Sequence, residues 1–266
     1  PTVHVGGTSG KGSTATIIAS ILATKYKVGL HLSPHLVQIT ERIKIMQQFH
    51  NETMKQWDIP EEEFIDLVNY IKPFIDQVGK SNLGAPSYFE IVAAMAFLYF
   101  KEQKVDIAVI EVGMGGRFDA TNVIRPEIAV LTNVGLDHTE ILGDTVEKIA
   151  EDKAGIIKSG IRVISGVKQE SVIKIISSKC KAQSAKLSLL GMDFKYKIKK
   201  INEKGSVFDY MGNKLLKNLK LRLLGKHQVE NAVLAIRALE LLDESAEIDH
   251  DFFPHPSAKA SGQASI

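Results

Sequence analysis

The amino-acid sequence predicts an α/β fold: a mostly parallel sheet flanked by helices, of the type that carries a phosphate-binding loop. A small antiparallel β section is expected near 187–224. Three observations lead there. Short β-branched runs alternate with helical patterns along most of the chain. One strand-to-helix junction is glycine-rich, Gly7-Thr-Ser-Gly-Lys-Gly-Ser13. The alternation breaks near Leu187, where KYKIKKINEKG and KLLKNLKLRLL interleave basic and apolar residues.

Val3–Val5 reads as the strand before the glycine loop, and Ser13–Lys25 as the helix after it, with Ile17, Ile18, Ile21 and Leu22 at helical spacing. Lys27–Leu32 is the next strand. Glu61–Val78 is an amphipathic helix with Phe64, Ile65, Val68 and Ile71 on one face. Ser87-Tyr-Phe-Glu90 is a capping box opening an apolar helix to Phe100. DIAVIEV (106–112) and EIAVLTN (127–133) read as buried strands. Asp144-Thr-Val-Glu147 caps a helix running to about Ile157. Arg162–Ser165, a helix after Gln169, and the helix Gln228–Leu242 complete the alternation. The lysine-rich strands of 187–224 read as a solvated face rather than a nucleic-acid patch, because the whole chain is nearly neutral.

That neutrality is a net charge of +2 from 33 basic and 31 acidic residues, which offers no global field for nucleic acid or an anionic membrane. The single cysteine, Cys180, allows no internal disulfide and no cysteine-built metal site, and fits a reducing, cytoplasmic setting. The longest apolar run, Ile91–Phe100, is half of what a membrane span needs. Pro1 is followed at once by an apparent core strand, and 257–265 is small and polar. The chain therefore reads as a ligand-binding domain over 1–245 with a linker or disordered tail over 246–266, part of a longer protein.

The loop departs from the usual phosphate-binding pattern: Val5 stands where the first glycine is expected, and Gly12 separates Lys11 from the hydroxyl of Ser13. A tight structural turn is one reading. A strand before it and a helix after it favour a nucleotide site, since helix N-termini hold anions through unpaired N–H groups. Lys11 can then reach terminal phosphates and Ser13 a phosphate or its magnesium. Other polar residues fall at the carboxyl ends of strands, where open α/β sheets bind ligands. They are Ser33, Glu111, Asp137 and His138. Ser33 before Pro34 also reads as a turn residue, and His138 as an ordinary loop histidine. Glu111 ends an Ile/Val strand and needs a partner or a metal. Together they suggest a magnesium–nucleotide site. In GGRFDATN (115–122), Arg117 and Asp119 fit substrate contact and a structural turn equally. Lys153, by itself, reads as a surface lysine.

These residues sit in longer motifs. GTSGKGS, SPHLVQITERI (33–43), SYFEIVAAMAFLYF (87–100), IEVGMGGRFDATNVI (110–124), NVGLDHTEILGDTVEKIAEDKAGIIK (133–158) and GKHQVENAVLAI (225–236) come in the order seen in folylpolyglutamate synthases. That family includes the bifunctional dihydrofolate synthases and belongs to the Mur ligase superfamily. The resemblance runs over most of 2–242. It implies an ATP-dependent amide ligase that joins glutamate to the carboxylate of a reduced folate, or of dihydropteroate, through an acyl phosphate. It also implies the family's loop, with its displaced hydroxyl, as the nucleotide site: Gly7, Thr8, Gly10, Lys11, Gly12 and Ser13, with Asn231 contacting ATP. Ser33, Glu111 and His138 would hold Mg2+, with Ser13 near it. Lys11, His138 and Lys153 would be catalytic, and Lys153 matches a lysine that can be carbamylated. Ser87, Arg117 and Asp119 lie where the pterin substrate approaches. A monomer acting on small molecules is implied.

There are departures. Ser9 replaces the family's usual loop asparagine, and Gln47–Pro60 is longer than the expected turn. The segment before the loop and the smaller C-terminal Rossmann-like domain have no counterpart in this sequence. The resemblance therefore covers the ATPase portion. A Mur-type ligase on another acid and a non-catalytic nucleotide-binding module are the alternatives. SPHL, ERI and DATN argue against the first, and intact Lys11, Glu111, His138 and Lys153 against the second.

Overall fold

A computed structural model describes residues 1–48 and 55–242. Residues 49–54, within Gln47–Pro60, and the tail from 243 lie outside the described residues. The strands are β1 Thr2–Gly6, β2 Val28–His31, β3 Ile43–Gln47, β4 Lys55–Asp58, β5 Ile107–Glu111, β6 Ile128–Leu131, β7 Arg162–Ser165, β8 Lys186–Leu189, β9 Lys195–Asn202, β10 Gly205–Met211 and β11 Leu215–Leu221. The helices are α1 Lys11–Leu22, α2 Glu61–Gly79, α3 Tyr88–Glu102, α4 Thr139–Leu142, α5 Val146–Lys153, α6 Glu170–Ala182 and α7 Lys226–Leu242.

One sheet runs β4-β3-β2-β5-β1-β6-β7-β8, and a second runs β11-β10-β9. From β2 to β8 the large sheet is parallel; β3 and β4 add an antiparallel edge. The chain leaves β1 toward β2 on one side, while β6 lies on the other. The loop after β1 thus opens at the reversal of strand order, where such sheets bind ligands.

Strand alternation sorts the core. Val3, Val5, Ile107, Val109, Ile128 and Val130 face α1 and α7. Ala108 and Ile110 face α2 and α3, and Ala129 and Leu131 face α5 and α6. The small sheet covers α7 with Phe208, Tyr210, Leu219 and Leu221. A buried polar network ties it down: Tyr210 donates to Glu240 at 2.6 Å, and Arg237 reaches Glu240, Ser188 and Asn213 at 2.9, 2.9 and 2.8 Å. The outer side carries exposed Lys195, Lys197, Lys199 and Lys200, the solvated lysine face expected from the sequence.

Three expectations are corrected. The helix after the glycine loop begins at Lys11, not Ser13, because Gly10 adopts a left-handed conformation (φ 77°) and serves as its N-cap. Asp144 does not cap α5. Thr145 does, accepting from Lys148 N–H, while Asp144 pairs with Lys148 Nζ at 2.9 Å. That helix stops at Lys153 and continues as a 3-10 turn over Ala154–Ile156, where Gly155 lies against the backbone of Arg117. The antiparallel section also starts later than 187, since Lys186–Leu189 joins the parallel sheet beside β7. The Ser87–Glu90 capping box forms as read.

Two buried features of the sheet yield predictions. A Cβ on Gly29 of β2 would stand 2.7 Å from the Phe100 ring. Gly29→Ala should therefore cost about 1–3 kcal/mol in urea unfolding. Adding Phe100→Leu should make the double variant less damaged than the sum of the singles; strict additivity would contradict the contact. In β1, His4 is buried, and its Nε2 lies 2.8 Å from the Thr121 hydroxyl. Thr121 donates its own proton to Asp119, so His4 Nε2–H is the donor. Burial, then the charges of Lys158 and His31, lower the His4 pKa from 6.5 to about 3. As pH falls, the unfolded chain takes up this proton first, so the contribution is complete above about 6.5 and lost below it. At pH 5 the loss should be about 2 kcal/mol for this group. His4→Gln, which keeps a donor without titrating, should flatten the pH 7-to-5 stability profile by that amount; an unchanged slope would contradict the neutral buried imidazole.

Candidate active site

The glycine loop is hung on the end of β6. Thr132 donates its hydroxyl proton to Ser9 O at 2.7 Å and lies 3.2 Å from Gly6 O. Thr8 N–H donates to Asn133 O at 3.0 Å. Ser9 N–H donates to Asn133 Oδ1, and Asn133 Nδ2 donates back to Ser9 Oγ, both at 2.9 Å. The serine at this departure from the family pattern therefore completes a reciprocal pair. Gly7 (φ 139°) passes so close to Thr132 that a Cβ would meet its hydroxyl at 1.9 Å. At Gly10, a Cβ would meet Asn231 Oδ1 at 2.4 Å, which places Asn231, on the first turns of α7, directly against the loop. These contacts hold the loop open with the first N–H groups of α1 unpaired within the helix, an anion site by construction.

Glu111 closes β5 immediately under this helix start. It is 4% exposed; Ser33 N–H donates to its Oε2 at 2.7 Å, and a Cβ on Gly12 would lie 3.4 Å from both its oxygens. Burial raises its pKa to about 7, against the opposing pull of Ser33 N–H, Lys11, Gly12 N–H and Arg42. A carboxylate so placed is stabilised by a cation. Lys11 supplies charge nearby, while its Nζ rests 3.3 Å from Thr8 O. Lys153 at the end of α5 is not the surface lysine its sequence alone suggests. It is 2% exposed, donates to Gly7 O at 3.2 Å, and has its pKa lowered to about 8, by burial first and then by Lys11.

A cavity of about 840 Å3 opens above these groups. Of the residues singled out in the sequence, Thr8, Lys11, Ser33, Ser87, Asp119, Asp137 and His138 line it. Glu111 lies beneath it beside Ser33, and Lys153 beneath the loop. His138 takes a left-handed backbone (φ 48°) as the residue before α4, with Nε2 3.7 Å from Asp137 and Nδ1 4.0 Å from Glu140. Ser87 uses its side chain to cap α3. Asp119 accepts from Met114 N–H and Thr121 N–H, each at 2.9 Å, so both its oxygens shape the loop. Arg117 is exposed and stacks over Phe118 at 5.2 Å, with its N–H bound to Asp152 O. Ser13 sits in the first turn of α1.

Among the described residues no cluster of three or more His, Cys, Asp or Glu side chains is assembled to hold an ion. The set here has two such groups, Glu111 and His138, with the hydroxyls of Ser33 and Ser13. That fits a hard cation completing its shell with phosphate oxygens and water, as magnesium does. Thr132 and Asn133, which hold the loop, and Arg42, which lines the cavity, were not singled out in the sequence. A hydroxyl and an amide ending EIAVLTN at the sheet's carboxyl edge were a usable signal for the first two.

Known proteins resemble this chain in sequence and fold. The model of the Mur ligase middle domain matches residues 5–239. A dihydrofolate synthase/folylpolyglutamate synthase of Bacillus subtilis is 38% identical over 244 residues, covering 91% of this chain and 55% of that protein. The folylpolyglutamate synthase (FPGS) of Thermotoga maritima superposes with a TM-score of 0.81 at 38% identity, over 90% of this chain and 53% of its own. An FPGS–AMPPCP–folate complex gives 0.82 at 33% identity, over 95% and 59%. The chain thus spans little more than half the length of these relatives. With the matched region running from the end of β1 through the glycine loop, Glu111 and Lys153 into α7, the chain belongs to the Mur ligase middle-domain family.

Proposed function

We propose that the protein is an ATP-dependent ligase that joins L-glutamate to the carboxylate of a reduced folate or of dihydropteroate, and that this chain holds its nucleotide and its reacting acid. The convergence of Lys11, Glu111 and Ser33 on the loop that opens into the 840 Å3 cavity carries this reading. The FPGS complex with AMPPCP and folate, and the shared family, support it.

A carboxylate is a poor electrophile. Its oxygen attacks the γ-phosphorus of ATP, ADP leaves, and the acyl phosphate that results has phosphate as its leaving group. The amine of glutamate then adds to the acyl carbon, loses a proton, and phosphate departs through a tetrahedral intermediate. The chain's part is positioning and charge. Gly7, Thr8, Gly10, Gly12 and Ser13 form the loop around the phosphates, with the Thr8 N–H held by Asn133 O and the Gly12 N–H turned to Glu111, and Asn231 contacts the nucleotide from α7. Lys11 neutralises charge as it builds on the transferring group. Ser33, Glu111 and His138, with Ser13 near, would hold Mg2+, whose charge when bound offsets that of the phosphate oxygens. Ser87, Arg117 and Asp119 border the acid substrate. Lys153, with its lowered pKa, has a larger neutral fraction than a surface lysine. Its free amine can add CO2 and release a proton, giving a carbamate, a carboxylate-like support for the metal. The protein works as a cytoplasmic monomer on this reading.

Lys11→Ala should weaken Mg-ATP binding by about tenfold or more, the usual loss for a charged hydrogen bond, in isothermal titration. Unchanged affinity would refute the assignment of the loop. ADP release from Mg-ATP and glutamate should depend on an added reduced folate. Nucleotide binding without any folate-dependent turnover would favour another acid substrate or a non-catalytic module.

A further inference from the structure

Arg42 is a charged side chain whose one part so far is its pull on the Glu111 carboxyl, with no partner yet given to its Nη edge. It ends the short 3-10 turn Ile39–Arg42 before β3. Its backbone is clamped to the end of β2: Arg42 O accepts from Leu32 N–H at 3.1 Å and from His31 Nδ1 at 2.9 Å. The neighbouring Glu41 is not its counter-ion, because that carboxylate accepts N–H groups of Leu36, Val37 and Gln38, all at 2.9 Å. Arg42 is 8% exposed and lines the cavity together with Lys11, Ser33 and Tyr88.

The guanidinium is fixed on two sides. Its Nε donates to His35 Nδ1 at 2.9 Å, and its plane carbon lies 5.3 Å from the centroid of the Tyr88 ring. Among the described residues no carboxylate comes within 4.0 Å of it, and His35 is its only hydrogen-bond acceptor. Glu111 feels the charge of Arg42 without an ion pair or hydrogen bond to it, and a buried guanidinium with no anion in contact is costly, so a companion of opposite charge is needed to offset its desolvation. With Nε closed by His35, the edge left is the Nη1/Nη2 pair. That edge matches the two oxygens of a carboxylate in a planar, bidentate pair. Tyr88 and Phe89 on the same wall suit a carboxylate attached to a flat aromatic body.

We propose that Arg42 is the carboxylate anchor of the cleft, binding the acid substrate end-on through Nη1 and Nη2 on the cavity wall it shares with Lys11. This rests on the ligase reading above. Two hydrogen bonds leave each carboxylate oxygen a lone pair, so the anchored acid can still attack phosphorus.

The test uses the full-length protein, with pteroate and its carboxamide as a probe pair that differs only in the carboxylate. Binding of each is measured with Mg-AMPPCP present, for the wild type, Arg42→Gln and Arg42→Lys. The expected result is a 10–100-fold loss of pteroate affinity in Arg42→Gln, partial recovery in Arg42→Lys, and carboxamide affinity within twofold of the wild type. A far-UV circular dichroism spectrum and an unfolding midpoint that match the wild type serve as the check that the variants fold. Intact pteroate binding with a tenfold rise in the KM for glutamate would place the amino acid's carboxylate on Arg42 and overturn the assignment to the acid substrate. Equal losses for pteroate and its carboxamide, or no loss for pteroate or glutamate, would overturn the proposal. A wild-type protein that binds no Mg-AMPPCP would instead remove the ligase reading on which it rests.

Discussion

A carboxylate buried at the end of a central strand is the constraint around which the site is arranged. Glu111 has apolar strand behind it and only three kinds of compensation in front: the Ser33 N–H, the start of α1 with Gly12, and the positive charge of Lys11 and Arg42. Gly12 brings the helix start close, a Cβ there lying 3.4 Å from both oxygens of Glu111. Ser33 must follow β2 directly, because β2 is the neighbour of β5. The remaining imbalance suits a cation, which Glu111 and Ser33 would help to hold beside the loop.

The loop's shape depends on β6 in the same way. Thr132 and Asn133 hold Ser9 and Thr8, and Asn231 presses on Gly10 from α7. Three separate stretches of sequence thus fix one turn. The small antiparallel sheet contributes at a distance, through the Tyr210–Glu240–Arg237 network that anchors α7. Behind the substrate side, His4 and Thr121 brace Asp119, so the loop over 113–122 is held from the core of the sheet.

Much of this was legible in the residues. Periodicity placed the strands and the long helices, and the strand-edge rule gathered Lys11, Ser33, Glu111 and His138 at one end of the sheet before any coordinates were considered. Helix boundaries were less legible: Gly10 starts α1 early because its left-handed conformation is set by packing against Asn231, far away in sequence. Lys153 looked like a surface lysine by pattern, since nothing local reveals that its amine ends against Gly7 O. Arg42 was hidden for the same reason. Its importance lies in what does not pair with it, and that is a property of the folded cleft. The split of 186–189 from the lysine-rich strands followed register with β7, which composition does not encode.

The most direct test follows the atoms of the acid. With the full-length protein, a folate labelled with 18O in its reacting carboxylate, Mg-ATP and glutamate, the phosphate released is analysed by mass spectrometry. Activation through an acyl phosphate moves one labelled oxygen into each phosphate formed with product. Phosphate free of label, with turnover intact, would contradict the role given to Lys11, Glu111 and the glycine loop.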